Sequence, residues 1–193
     1  MPRRPRAGTS QAAGGTPRCP ALLRGVNVGG RHVLPMQSLT AILGEAGARD
    51  VATTLQSGNA AFRYGRRDLA QFGARAAGMI AARHGFMPEV LVITVAALSA
   101  AMAGNPFPEA ESAPDGVHLG FLAAPPRRPD LDGLERLRKA DERFVLGRRV
   151  FYLHAPDGIG RSRLAANAER LLGVTMTSRN WRTVCRIRAL LDA

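Results

Sequence analysis

Apolar and polar positions alternate along this chain in two registers, a period of two and a period near 3.6, and the two registers follow one another in a fixed order. Cys19 to Leu23 is a continuous apolar run of strand length. A glycine-rich stretch from Arg24 to Leu34 follows it. Pro35 then suits a helix start, and Met36, Leu39, Ile42 and Leu43 form one apolar stripe, with Gly47 as its stop. Val51–Leu55 and Ala60–Tyr64 flank the turn sequence Gln56-Ser57-Gly58-Asn59 and predict a hairpin. Asp68 can cap a helix whose face carries Leu69, Phe72, Ala76, Met79 and Ile80, although Gly73 and Gly78 weaken it. Gly85 ends that helix, and Val90–Thr94 is a buried strand.

The order is therefore β-α-β-β-α-β, and the second half repeats it. After a short helix over Val95–Ala103 and the loop Asn105-Pro106-Phe107-Pro108 come a strand at Val117–Leu122 and a helix capped by Asp130. A hairpin spans 143–146 and 150–154 around Gly147, followed by a helix capped by Ser162 and a strand at Val174–Thr177. A last helix from Asn180 to Leu191 carries Trp181, Val184, Ile187 and Leu191. The expectation is an α+β fold of two tandem ferredoxin-like βαββαβ subdomains with a C-terminal helix. The predicted boundaries are a disordered basic tail over 1–18, a first subdomain over 19–95 and a second over 96–193.

Topology then places the loops. In a βαββαβ sheet of spatial order 4-1-3-2, strands 1 and 2 run the same way, so the loop after strand 1 and the turn after strand 2 share an edge. That brings Arg24 to Arg31 beside Gln56 to Asn59, with Gly85 to Pro88 joining them. The matching edge of the second half holds Arg127, Arg128, Arg148 and Arg149.

Composition changes this picture only modestly. At 46% hydrophobic and 22% charged the chain is an ordinary globular protein. No apolar run approaches the roughly 18 residues of a membrane span. A formal charge of +12 makes a polyanion a candidate partner, yet Lys139 is the only lysine, and such arginine bias with abundant alanine and glycine is also the mark of a GC-rich genome. The first 96 residues hold 12 basic and 4 acidic residues, and the remainder 15 and 11, with no solid basic block. Cys19 and Cys185 lack any CxxC spacing, which implies neither a zinc site nor a disulfide framework but reduced thiols in the cytoplasm. The basic start, Met1 to Arg6, is followed by no apolar stretch, so export is not expected.

The stretch Arg24-Gly25-Val26-Asn27-Val28-Gly29-Gly30-Arg31-His32 is the most distinctive. Gly25 and Gly30 have the spacing of the outer P-loop glycines, but Arg31 and His32 stand where that motif needs lysine and a hydroxyl residue, so a nucleotide P-loop is not implied. Two readings remain: a tight loop closing strand onto helix, or an anion-binding loop whose N–H groups, Arg24 and Arg31 face a ligand. The candidate ligand-binding residues are Arg24, Asn27, Gly29, Gly30, Arg31, Gln56, Ser57 and Asn59. Arg179, Arg182 and Arg186 are spaced to share a face of the last helix as possible phosphate contacts, with Trp181 a packing anchor. Phe62 and Tyr64 alternate on one strand face, where RNA-recognition modules stack bases, but the RNP1 pattern fits poorly.

His32, His84, His118 and His154 form no metal-ligand spacing, and no catalytic elbow is present. No cofactor is implied. The partner these residues suggest is a small anionic or nucleotide-like ligand, with an enzyme of unknown class at the same rim and non-specific nucleic-acid binding as alternatives. A membrane is not expected.

Several stretches together resemble the bacterial proteins grouped as domain of unknown function 1697. They are Leu22 to Gly30, Met36 with Leu39, Gln56 to Asn59 with Phe62, Asn105-Pro106-Phe107, and Arg179-Asn180-Trp181 with Thr183-Val184. The resemblance spans nearly the whole chain from Cys19 and implies two related α+β subdomains. It implies no activity. The arginine-rich tail and arginine at 31 and 186, where lysine is common, depart from the family pattern.

Overall fold

The structure is a computed structural model that describes residues 16, 18–54, 58–66 and 68–193. The elements are β1 (Arg18–Arg24), α1 (Met36–Glu45), β2 (Arg49–Thr54), β3 (Asn59–Arg63), α2 (Leu69–His84) and β4 (Glu89–Val92). Then come α3 (Val95–Ala103), α4 (Glu109–Ser112), β5 (Val117–Leu122), α5 (Leu131–Leu137), β6 (Arg143–Leu146), β7 (Val150–His154), α6 (Arg163–Leu172), β8 (Met176–Asn180) and α7 (Trp181–Asp192). They form two four-stranded antiparallel sheets of the same order, β2-β3-β1-β4 and β6-β7-β5-β8.

The period of two sorts each strand between cores. On β1, Cys19, Ala21 and Leu23 face a core completed by Leu39 and Ile42 of α1 and Phe72 and Ile80 of α2. Leu22 points the other way, into a middle core shared by both sheets. Leu98 and Ala101 of α3, Val184, Ile187 and Leu191 of α7, Leu119 and Phe121 of β5, and Tyr152 of β7 complete it. The third core lies between the second sheet and α5 and α6, around Phe151, Leu153, Leu134 and Leu164. Helices α3 and α7 therefore sit where both sheets bury their second face. Long-range hydrogen bonds fasten this layer. The Tyr152 hydroxyl donates to Ala101 O at 2.9 Å, and Arg18 Nη1 donates to Leu190 O at 2.9 Å.

The expected caps form at Asp130 and Ser162, and Asn180 caps α7, each accepting from the backbone N–H three residues on. Asp68 occupies the N-cap position of α2 but makes no cap bond; its carboxylate takes the Tyr64 hydroxyl and Arg75 instead. Gly73, expected only to weaken α2, has a packing reason: its missing Cβ leaves room for the Val90 carbonyl of β4. The last strand runs to Asn180 instead of stopping at Thr177, because its pairing with β5 continues from Leu122↔Met176 to His118↔Asn180. Arg18 is the first residue of β1, while the rest of the expected tail, apart from Thr16, lies outside the described residues.

Candidate functional site

Strands β1 and β2 both pair antiparallel to β3, so they run the same way and end at the same edge. There the Leu23 N–H donates to Gly58 O at 2.8 Å. Gly58 has φ +71°, and a Cβ on it would lie 2.5 Å from Val26 Cγ2 and 2.8 Å from Leu23 Cβ. Only glycine lets the β2–β3 turn press this closely on the loop after β1. The connection from α2 to β4 joins them: His32 and Phe86 stack with centroids 4.6 Å apart and planes 15° apart.

The loop itself is a miniature hairpin. Val28 and Arg31 form an antiparallel bridge, with the Arg31 N–H donating to Val28 O at 3.0 Å. Gly29 and Gly30, at φ +57° and +72°, supply the two positive dihedrals that a type I′ turn demands. Below the turn, the Asn27 N–H donates to His32 O at 3.0 Å. The Asn27 side chain brackets Leu34, accepting from its N–H at 2.8 Å and donating to its carbonyl at 3.0 Å. His32 Nδ1 lies 2.9 Å from Gly25 O; a carbonyl can only accept, so Nδ1 carries the proton. The glycine pattern thus records turn geometry first. What the hairpin offers outward is the Arg31 guanidinium, which has no partner among the described residues, and the exposed imidazole of His32. Three apolar side chains stand around them, Val28, Val33 and Met87, at 65%, 60% and 71% exposure, high values for residues of their type.

The remaining candidates divide sharply. Arg24 crosses to the second half, pairing with Glu169 of α6 and donating to Met176 O at 3.3 Å. Asn59 is fully buried and cannot meet a ligand from solvent. Its Oδ1 accepts from Arg179 Nε at 2.6 Å. Gln56 and Ser57 lie outside the described residues.

Arg179 corrects the expected helical stripe. It stands on β8, not on α7, and turns toward the first sheet, with Nη2 donating to Leu23 O at 2.6 Å and Nη1 to Ser178 O at 2.9 Å. Loss of hydration pulls its guanidinium down to about 10. Arg182 is held by Asp115 through two bonds of 3.0 and 2.8 Å, and that contact keeps the carboxyl below its usual range. Arg186 is exposed and makes no hydrogen bond or ion pair among the described residues. The aromatic platform is likewise internal: Phe62 stacks on Phe72 at 4.9 Å in the first core, and Tyr64 is buried beside it.

At the matching edge of the second half, Arg149 donates to Ala123 O. Sequence reasoning missed two concavities. One, of about 430 Å³, lies between β4 and the second sheet, lined in part by Glu89, Thr94, Phe121, Arg149 and Thr177. The other, of about 480 Å³, lies at the far end of the first sheet around Arg49, Arg66 and Arg75. Their residues are scattered along the chain, so no local motif signals either one. Among the described residues no three His, Cys, Asp or Glu side chains gather as a metal site. Cys19 is buried and its thiol is pushed up by desolvation, the opposite of an activated nucleophile. No helix among the described residues is long and apolar enough to cross a membrane.

The fold is shared with a solved structure, that of the conserved bacterial protein SP0830 from Streptococcus pneumoniae. The TM-score is 0.69 and the identity 21%, over 93% of this chain and 100% of that one. None of the curated proteins matches the chain. The family described as protein of unknown function (DUF1697) matches residues 17–152, a span that runs from β1 into β7 and takes in the whole hairpin rim. On that match, the chain belongs to the DUF1697 family.

Proposed function

We propose that this protein is a binding module for an anionic, nucleotide-like ligand, taken at the rim where the Asn27–His32 hairpin meets the turn before β3 and the Gly85–Pro88 connection. One observation carries the reading. The Arg31 guanidinium, with no partner among the described residues, sits on a braced hairpin next in sequence to an exposed imidazole that is already stacked on Phe86. Such a pair suits a ligand with an aromatic ring and a phosphate: the ring extends the His32–Phe86 stack, and the phosphate takes charge-assisted hydrogen bonds from Arg31. Gly29 and Gly30 keep the tip free of side chains, so a ligand can approach the backbone. Asn27 holds the hairpin in shape, and Arg24 holds the edge below it. We read the chain as two ferredoxin-like subdomains, 19–95 and 96–193, with the rim belonging to the first.

The nucleic-acid alternative is weaker, because two arginines of the supposed stripe are spoken for, Arg179 by Asn59 and Leu23 and Arg182 by Asp115. Titration calorimetry with AMP, ADP and GTP tests the reading. Replacing Arg31→Ala together with His32→Ala is expected to weaken the best of these by about tenfold or more, the loss of roughly one good contact. Equal affinity in wild type and variant refutes it.

A further inference from the structure

An arginine-lined concavity lies at the opposite end of the first sheet. The 480 Å³ pocket there opens between the starts of β1 and β2, the end of β3 and the first turns of α2. Three arginines line it, Arg49 from β2, Arg66 from the β3–α2 connection and Arg75 from α2; among the described lining residues there is no aspartate or glutamate. Two carboxylates adjoining the lining residues have partners of their own. Asp50 pairs with Arg63 at 3.0 Å, and Asp68 accepts from the Tyr64 hydroxyl at 2.9 Å and from Arg75 at 3.3 Å.

Arg75 is fixed in place. Its Nη2 donates to the Tyr64 hydroxyl at 2.8 Å, its Nη1 to Asp68, and its guanidinium carbon lies 5.8 Å from the centre of the Phe72 ring. A guanidinium has five N–H donors, so these two bonds leave others to spare. Arg49 and Arg66 are exposed and have no side-chain partner among the described residues. Converging cations in a concavity raise the local potential and repel one another, and a multiply charged anion relieves both effects.

We infer that this pocket binds a phosphate-bearing ligand, independently of the hairpin rim. A free polyphosphate and the phosphate backbone of a nucleic acid share that chemistry, and the test separates them. Binding of inorganic pyrophosphate and of a single-stranded DNA dodecamer is measured at low salt for the full chain, for Arg49→Ala/Arg66→Ala and for Arg127→Ala/Arg128→Ala. The last variant removes the same charge from exposed positions on the second half. The pocket variant is expected to lose about tenfold or more in affinity, with its melting temperature unchanged, and the control variant to bind like wild type. A tighter pyrophosphate complex assigns the free ligand, and a tighter dodecamer assigns the backbone. If wild type binds neither probe, or if the two variants lose affinity equally, the site is refuted. Arg31→Ala/His32→Ala is expected to leave pyrophosphate binding intact, so a failure of either site is distinguishable from a failure of the other.

Discussion

Arg179 on β8 reaches out of its own sheet and donates Nε to the buried Oδ1 of Asn59 on β3, at 2.6 Å. A second donor, Nη2, reaches the Leu23 carbonyl at 2.6 Å. One side chain from the second half thus ties together the two central strands of the first, just below the hairpin rim. A charged donor withdrawn from water is costly when unpaired, so the asparagine and the carbonyl are what make this arginine tolerable.

Removing Asn59's amide should therefore hurt. Asn59→Leu removes the Nε acceptor of a desolvated guanidinium and is expected to lower unfolding free energy by about 3 kcal/mol. The double variant with Arg179→Met should lose less than the sum of the two single changes, and a double-mutant cycle by urea denaturation checks this. Additive losses would show that the two side chains do not interact.

The shared middle core makes a separate claim. Ile187 of α7 is buried among residues of both sheets. Ile187→Ala is expected to cost about 2–5 kcal/mol, with both halves still unfolding in one transition. Trp181, the single tryptophan, packs against that core and reports on it by fluorescence. Its midpoint should coincide with that of far-ultraviolet circular dichroism.

Two glycines should differ in how much they resist substitution. Both Gly30 and Gly58 have positive φ, but a Cβ on Gly30 meets open space, whereas one on Gly58 collides with Val26 and Leu23. Gly30→Ala should cost about 1 kcal/mol of backbone strain. Gly58→Ala should cost clearly more, and thermal melts of the two variants compare them.

His118 supplies a pH dependence. It is buried, burial lowers its pKa from the ordinary 6.5, and its Nε2 has no hydrogen-bond partner among the described residues. The unfolded chain takes up a proton at this ring more readily than the folded one. Stability attributable to His118 is therefore full above pH 6.5 and declines as pH falls below it. His118→Leu should flatten the stability profile between about pH 5 and 7. A slope unchanged by the substitution would assign the effect to other groups.

The legible parts of this molecule were those written locally. Apolar periodicity, the caps Asp130, Ser162 and Asn180, and the turn glycines each act within a few residues, and together they imposed the element order. The meeting of the Gly58 turn with the Val26 loop followed from strand direction alone. What could not be read was whatever depended on distant pairing. Arg179 looked like the start of a helix because its own neighbours are polar; pairing with β5 made it part of a strand and turned it toward Asn59. Asn59 looked like a turn residue, yet it opens a central strand. Arg49, Arg66 and Arg75 share a pocket only because the sheet order brings the starts of β2 and α2 together.

The hairpin rim is tested most directly by titrating isotope-labelled protein with ADP and following backbone amide resonances. The amides of Gly29, Gly30, Arg31 and His32, with Phe86 across the stack, are expected to shift saturably and together. Saturable shifts confined to other parts of the chain, with these amides unmoved, would contradict the proposal.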